Sequence, residues 1–145
     1  MSNIIVLNDV NNALEYQFEL TRHSGKLKTL KKGNQVLNSN DRMHFAVKHE
    51  ISAYLRHLSS QTVSKTHPPF SKGHPCYTAK NPCSVLVTVN PPTHGRFDPA
   101  NLYPTVKALI DGMTDAGVWE DDNSKVIRLL GFQSGKVNKK QKIYN

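Results

Sequence analysis

The sequence has few cysteines and no long apolar run. Its two cysteines, Cys76 and Cys83, are too few for a disulfide framework, so we expect a reducing compartment. No segment approaches the roughly 18 apolar residues that span a bilayer, and the first ten residues lack a basic run ahead of an apolar core. These absences argue against a disulfide-stapled secreted domain and against a membrane protein. We therefore expect a cytoplasmic protein with no membrane partner.

Acidic residues are also scarce, and their distribution is uneven. Eleven acidic residues against 19 basic ones give a net charge of +8, which favours a polyanionic partner, with nucleic acid first. Yet residues 98–122 contain six of the acidic residues and one base, Lys107, so this segment carries −5 and the remainder +13. An acidic island repels DNA unless a divalent cation lies between carboxylates and phosphate. The plain alternative is a solvated helix face and turn.

The length and the apolar periodicity predict the fold class. A chain of 145 residues without internal repeats fits one domain. Alternating apolar residues predict strands, and apolar residues at spacings of three and four predict helices. The strands are expected over residues 4–7, 16–20, 84–90 and 126–130. The helices are expected from Asn40 to Leu58, starting within the N-cap cluster Asn38–Asp41, and from Pro104 to Ala116. The sequence thus predicts a single α+β domain, a mixed β-sheet packed with two main helices.

The same periodicity predicts which helix faces are buried. For the first helix the expected core residues are Val47, Ile51, Tyr54, Leu55 and Leu58, and for the second they are Val106, Leu109, Ile110 and Met113. Three segments read as irregular or basic: the turn-rich stretch from Arg22 to Gly33, a long loop over residues 59–82, and a basic C-terminal segment, 133–145, around a possible strand at Ile143–Tyr144.

One run of residues carries a specific functional motif. It reads Arg96-Phe97-Asp98-Pro99-Ala100-Asn101-Leu102, then Lys107 and Asp111, then Gly117-Val118-Trp119-Glu120-Asp121-Asp122. This run resembles the RusA family of Holliday-junction resolvases, in particular a phage and actinobacterial branch. That family has an Asp-x-Asp-Asn loop, a helix with a lysine and a later Asp, and an Asp-Asp pair. The resemblance covers roughly residues 37–130, and its specific part is 96–122.

The resemblance implies a function and a site. It implies a Mg²⁺-dependent endonuclease, with Mn²⁺ as a possible substitute, that resolves Holliday junctions or other branched DNA in recombination or repair. It implies a homodimer, encoded by a bacterium or a phage. The residues implied are Asp98, Lys107 and Asp122 as catalytic, Asp98, Asp111, Asp121 and Asp122 as metal ligands, and Arg96, Asn101 and Lys107 as DNA contacts. The exposed face of the first helix adds Arg42 and Lys48 as candidate phosphate contacts, and solvent exposure alone explains this face equally well.

Two departures from the motif leave alternatives open. Ala100 stands where the family has its second loop aspartate, and three extra residues separate Asn101 from Lys107. Either Asp111, Glu120 or Asp121 replaces the missing ligand, or the protein binds junctions without cutting them efficiently. The alternative function is therefore a non-catalytic basic DNA-binding protein. A zinc site is a further alternative, from His67, His74, Cys76 and Cys83, although the spacing matches no standard finger.

Overall fold

The computed structural model of the chain describes residues 2–10, 14–22, 34–41, 45–66, 73–95 and 97–138. Three predictions lie largely or wholly outside these residues: the basic turn-rich stretch beyond Arg22, the C-terminal strand at Ile143–Tyr144, and the basic residues that follow Asn138. The same holds for three individual side chains, those of Arg42, His67 and Arg96. Nothing in the described structure tests these predictions.

Within the described residues four strands form one mixed sheet, as predicted. They are β1 (Ser2–Asp9), β2 (Glu15–Thr21), β3 (Cys83–Asn90) and β4 (Ile127–Ser134). Their order across the sheet is β2-β1-β3-β4. β1 is antiparallel to both of its neighbours, whereas β3 and β4 are parallel, which requires a crossover connection between them. A helix supplies that connection.

The sheet buries one face. In β3 the side chains of Val85, Val87 and Val89 are buried while those between them are only half-buried, and β1 and β2 alternate in the same way. Successive side chains of a strand point to opposite faces, so this alternation gives the sheet a single apolar face. Both helices contribute their buried residues to the core on that face. The architecture is α+β, as the sequence predicts.

The second helix, α2 (Tyr103–Asp115), follows a 3₁₀ turn over Pro99–Leu102 and agrees closely with the prediction. All four of its predicted core residues are buried. The helix ends in a Schellman motif: Gly117 has a φ of 87°, Val118 N–H donates to the Met113 carbonyl at 3.0 Å, and Gly117 N–H donates to the Thr114 carbonyl at 3.1 Å. This end sends the chain from α2 toward the acidic turn.

The first helix, α1, differs from the prediction. It covers Phe45–Thr66, so the predicted boundaries of Asn40 and Leu58 and the first eight residues of the predicted loop are wrong. Its buried ridge of Ile51 and Leu55 continues one and two turns further through Ser59 and Val63. Because Ser59 is polar, the apolar pattern of the sequence did not indicate that the buried ridge continues past Leu55.

The buried face of α1 agrees with the prediction at Ile51 and Leu55 but not at every position. Tyr54 is 45% exposed, so its assignment to the core is wrong, and Val47 and Leu58 are only partly buried. Ser59 takes a central position because its hydroxyl donates to the Leu109 carbonyl on α2 at 2.6 Å. No helix of the described residues is both long and apolar enough to cross a membrane.

Candidate functional site

Lys107 lies at the centre of a small charged cluster on the half-exposed face of α2. Its ammonium group donates to the Asp111 carboxylate at 2.9 Å, one helical turn along. It also donates to the Asp122 carboxylate, fifteen residues further along the chain. The fold thereby gathers three of the residues that the motif singles out, and two carboxylates face one cation.

Backbone pairing with a distant loop holds the acidic turn beside α2. Tyr77 N–H donates to the Val118 carbonyl at 3.0 Å, and Glu120 N–H donates to the Tyr77 carbonyl at 2.8 Å. The Tyr77 hydroxyl donates to the Asp9 carboxylate at 3.0 Å in a buried contact. Trp119, between the two paired residues, is itself buried. The path from α2 to Asp122 is therefore fixed at several points.

The opposite charges of Lys107 and its carboxylate partners stabilise each other's ionised forms. Burial opposes ionisation of Lys107, but its hydrogen bonds to Asp122 and Asp111 outweigh it and raise the pKa of Lys107. The hydrogen bond from Lys107 lowers the pKa of Asp122, against the opposing effect of burial. Both groups are consequently charged at neutral pH. Lys107 is an ammonium donor there and not a base.

A second cation borders the cluster from α1. Arg56 binds Asp115 at two points, Nε to Oδ2 at 2.6 Å and a terminal nitrogen to Oδ1 at 2.8 Å. Its pKa is raised by this hydrogen bond first, then by the charge of Asp115, with smaller contributions from Asp111 and Asp122. Arg56 and Lys107 line one open groove of about 500 Å³ between the helices. The sequence gives no signal that Arg56 and Asp115 meet.

Asp98 and Asn101 lie elsewhere. Both line a cleft of about 390 Å³ that Arg22 and Asp41 also border. The Asp98 carboxylate accepts the Ala100 N–H at 3.1 Å and so caps the 3₁₀ turn. Asp98 is exposed and Asn101 is half-buried. The predicted site residues therefore form two groups, one in this cleft and one around Lys107.

The carboxylates of the motif do not converge on one point. Within the described residues there is no group of three or more His, Cys, Asp or Glu side chains that could hold a metal ion. Asp121 accepts the Asp122 N–H at 2.8 Å and an Asn123 side-chain N–H at 3.2 Å, so its carboxylate caps its own turn. Asp111 and Asp122 remain as a facing pair. Two carboxylates, completed by water and phosphate oxygens, are a donor set that Mg²⁺ uses.

The candidate zinc ligands do not form such a group among the described residues either. His74 is exposed, and His67 lies outside the described residues. Burial raises the pKa of the Cys76 thiol and raises that of Cys83 to about 11. Neither cysteine is a thiolate at neutral pH without a metal to stabilise it.

Lys48, the remaining candidate phosphate contact of α1, is half-buried. Its charge contributes to lowering the pKa of Asp41, whose main stabilising partner is Arg22. Lys48 thus belongs with the Arg22–Asp41 side of the molecule. Arg42 and Arg96 lie outside the described residues.

Comparison of the chain with protein-family models, with curated proteins and with solved structures finds no match.

Proposed function

We propose that the protein is a Mg²⁺-dependent endonuclease that cuts four-way junctions or other branched DNA. The observation that carries the proposal is the Lys107 ammonium between the carboxylates of Asp111 and Asp122, on the surface of a strongly basic protein. An ammonium and a pair of hard oxygen donors at one surface point suit phosphodiester hydrolysis, and the surrounding positive charge attracts the DNA. The resemblance of residues 96–122 to the RusA motif supports the same function.

In this proposal Asp122 and Asp111 would hold the metal ion beside Lys107. The motif also implies Asp98 and Asp121 as ligands, but Asp98 lines the separate cleft and Asp121 caps its own turn. The ion supplies Lewis-acid stabilisation of the charge on the phosphate oxygens. A two-carboxylate donor set suits Mg²⁺ because this ion keeps several waters and takes substrate phosphate as a ligand. The missing carboxylate at Ala100 is then compensated by Asp111.

Lys107 acts on the phosphate through its charge. Its raised pKa keeps it protonated, so it cannot accept a proton from water. A fixed ammonium can instead stabilise the negative charge that develops on the phosphate in the transition state, and such preorganised charges contribute strongly to catalysis. Asp122 and Asp111 orient the ammonium through the hydrogen bonds described above.

The remaining parts of the proposal concern the substrate and the assembly. Asn101, Lys48, Arg42 and Arg96 contact the DNA, and the excess positive charge outside residues 98–122 provides the affinity. Two copies related by a two-fold axis match the symmetry of a four-way junction and cut opposing strands. A DNA substrate of recombination or repair agrees with a cytoplasmic location in a bacterium or in a phage-infected cell.

A junction-cleavage assay tests the proposal. The wild-type chain is expected to cleave a synthetic four-way junction when Mg²⁺ is added. Asp122→Asn and Asp111→Asn are expected to lose cleavage while they retain binding, because each removes one of the two carboxylates that face Lys107. Glu19→Gln, an exposed position on β2, is the matched control and should cleave normally.

A non-catalytic junction-binding protein is the second candidate, and one observation favours it. The described residues contain no group of three metal donors, and Lys107 already pairs with both facing carboxylates. Divalent ions separate the two candidates. Tight junction binding with no cleavage in either Mg²⁺ or Mn²⁺ would exclude the nuclease and leave the binding protein.

A further inference from the structure

The cleft that contains Asp98 is bordered by amide side chains. Its volume is about 390 Å³, within the range of small-molecule pockets of roughly 300 to 1,000 Å³. Asparagines from three separate parts of the chain line it: Asn3 on β1, Asn38 and Asn40 on the segment after β2, and Asn101 in the 3₁₀ turn. Such a concentration of one side-chain type indicates a common ligand chemistry.

These four amide groups make no hydrogen bonds with one another or with any other described residue. The backbone around them is nevertheless held firmly. Ser39 N–H donates to the Asn101 carbonyl at 2.8 Å, and Leu37 shares two hydrogen bonds of 2.7 Å with the Thr105 hydroxyl. The amides are therefore mounted on a fixed frame while their donors and acceptors stay available to a ligand.

Asn3 is the most informative of the four. The alternation of β1 places it on the same face as Ile5 and Leu7, which are core residues, and it is only 9% exposed. A polar side chain on a core face normally finds a hydrogen-bond partner in the protein. Asn3 finds none among the described residues, and it borders the cleft instead.

The charge at the cleft argues for a neutral polar ligand. Arg22 is the one cationic side chain among its described lining residues, and it pairs with Asp41 through two hydrogen bonds of 2.8 and 2.7 Å. Asp98 adds a second carboxylate, so the charges of the described lining residues disfavour a phosphate. An amide offers two N–H donors beside a carbonyl acceptor, which is the pattern that complements the edge of a nucleobase. Pro91 and Pro92 add an apolar wall against which a flat ring can pack.

The cleft is also adjacent to the Lys107 groove. Asn101 and Leu102 line the cleft, while the next two residues, Tyr103 and Pro104, line the groove that contains Lys107. Consecutive residues of the chain therefore line the two openings.

We propose that this cleft binds one unpaired nucleobase of the DNA strand whose phosphate lies at Lys107, with Asn38 and Asn40 reading the edge of the base. This inference rests on the proposed function in taking DNA as the substrate. A base pair at a branch point lacks the continuous stacking of a duplex, so a base there can leave its pair at less cost, and it then exposes its hydrogen-bonding edge. The cleft is then the part of the protein that selects where a junction is bound.

An abasic scan tests the inference. Four-way junctions with one abasic nucleotide, moved through each position near the branch point, are titrated with protein in EDTA, and binding is followed by fluorescence anisotropy. The wild type is expected to lose roughly tenfold in affinity at one position and little elsewhere. The double variant Asn38→Ala, Asn40→Ala should bind the intact junction roughly tenfold more weakly and be insensitive to the abasic nucleotide at that position. Gln61→Ala, an exposed amide on α1, is the control and should behave as the wild type.

Two results would overturn the inference. One is a wild-type scan that is flat at every position while the intact junction binds tightly. The other is a double variant that keeps the full sensitivity to the abasic nucleotide. Cleavage of the intact junction in Mg²⁺ is measured separately from binding. If an abasic nucleotide weakens binding at one position but no cleavage occurs, only the nuclease proposal is rejected. If cleavage occurs but no abasic position weakens binding, only the base-binding cleft is rejected.

Discussion

The ammonium group of Lys107 on α2 donates a hydrogen bond to the carboxylate of Asp122, fifteen residues later in the sequence. The turn after α2 and the pairing of Tyr77 with the segment around Trp119 bring the two residues together. Asp122 is therefore held by the fold and not by the local sequence. The stability of the helix end and the geometry of the candidate site are coupled through this pair.

The pair predicts a defined dependence of stability on pH. The lowered pKa of Asp122 gives stability that is present above the ordinary Asp pKa, about 3.9, and is lost as the pH falls through the lower folded value. The raised pKa of Lys107 gives stability that is complete below about pH 10.4 and is lost as the pH rises through the folded value. The contribution of the pair is thus level from about pH 5 to pH 9.

Asp122→Asn tests this dependence. Because the pair is partly exposed, the substitution should lower the free energy of unfolding at pH 7 by less than about 1 kcal/mol. The difference from the wild type should shrink as the pH falls from 5 to 2. Urea denaturation at a series of pH values measures it, and a difference that stays constant down to pH 2 would refute the assigned role.

The Arg22–Asp41 pair should contribute more to stability than the Arg56–Asp115 pair. The Asp41 side chain is 6% exposed and that of Arg22 is 23% exposed, whereas Asp115 and Arg56 are 29% and 53% exposed. Asp41→Asn leaves a largely buried guanidinium without its counter-charge, so we expect a loss of about 3 kcal/mol, against less than about 1 kcal/mol for Asp115→Asn. Urea denaturation at pH 7 compares the two. Equal losses would contradict the burial argument.

Gly112 allows α1 and α2 to approach closely. A Cβ atom at this position would collide with the Arg56 carbonyl oxygen and come within 2.8 Å of the Ser59 Cβ. Gly112→Ala should therefore force the helices apart and cost about 2 kcal/mol or more in unfolding free energy. The matched control is Gly131→Ala on β4, where the new Cβ meets only the Leu86 side chain at 3.8 Å. Similar melting temperatures for both variants would show that the helices are not packed this closely.

A similar pair of variants tests whether the C-terminal turns of α1 are helical and packed against the core. Val63 is fully buried, whereas its neighbour Ser64 is exposed. Val63→Ala should cost about 2 kcal/mol, and Ser64→Ala should change the free energy of unfolding by no more than about 0.5 kcal/mol. If residues 59–66 were the loop that the sequence predicted, the two substitutions would have equal and small effects.

Much of the fold could be predicted because its apolar pattern is regular. β3 alternates valines along its whole length, and α2 has an apolar stripe between a suitable proline and Gly117. The extent of α1 could not be predicted in the same way. Ser59 interrupts its apolar ridge, and the hydrogen bond to Leu109 that lets a serine be buried is visible only once α2 is packed against α1.

The candidate site was predictable in part for a similar reason. The pairing of Lys107 with Asp111 follows from helical spacing. The approach of Asp122 depends on the loop pairing through Tyr77, and that of Arg56 to Asp115 on helix packing, so neither has a local signal. Asn3 has a weak local signal, because it is a polar residue on the apolar face of β1.

Single-turnover cleavage of a four-way junction in Mg²⁺ by the Lys107→Met variant tests the central claim most directly. Lys125→Met, an exposed lysine near the acidic turn, is the control for the loss of one positive charge. We predict that Lys107→Met cleaves at least about 100-fold more slowly than the control while both bind the junction with similar affinity. Equal cleavage rates for the two variants would contradict the assignment of Lys107 and its carboxylate partners as the active site.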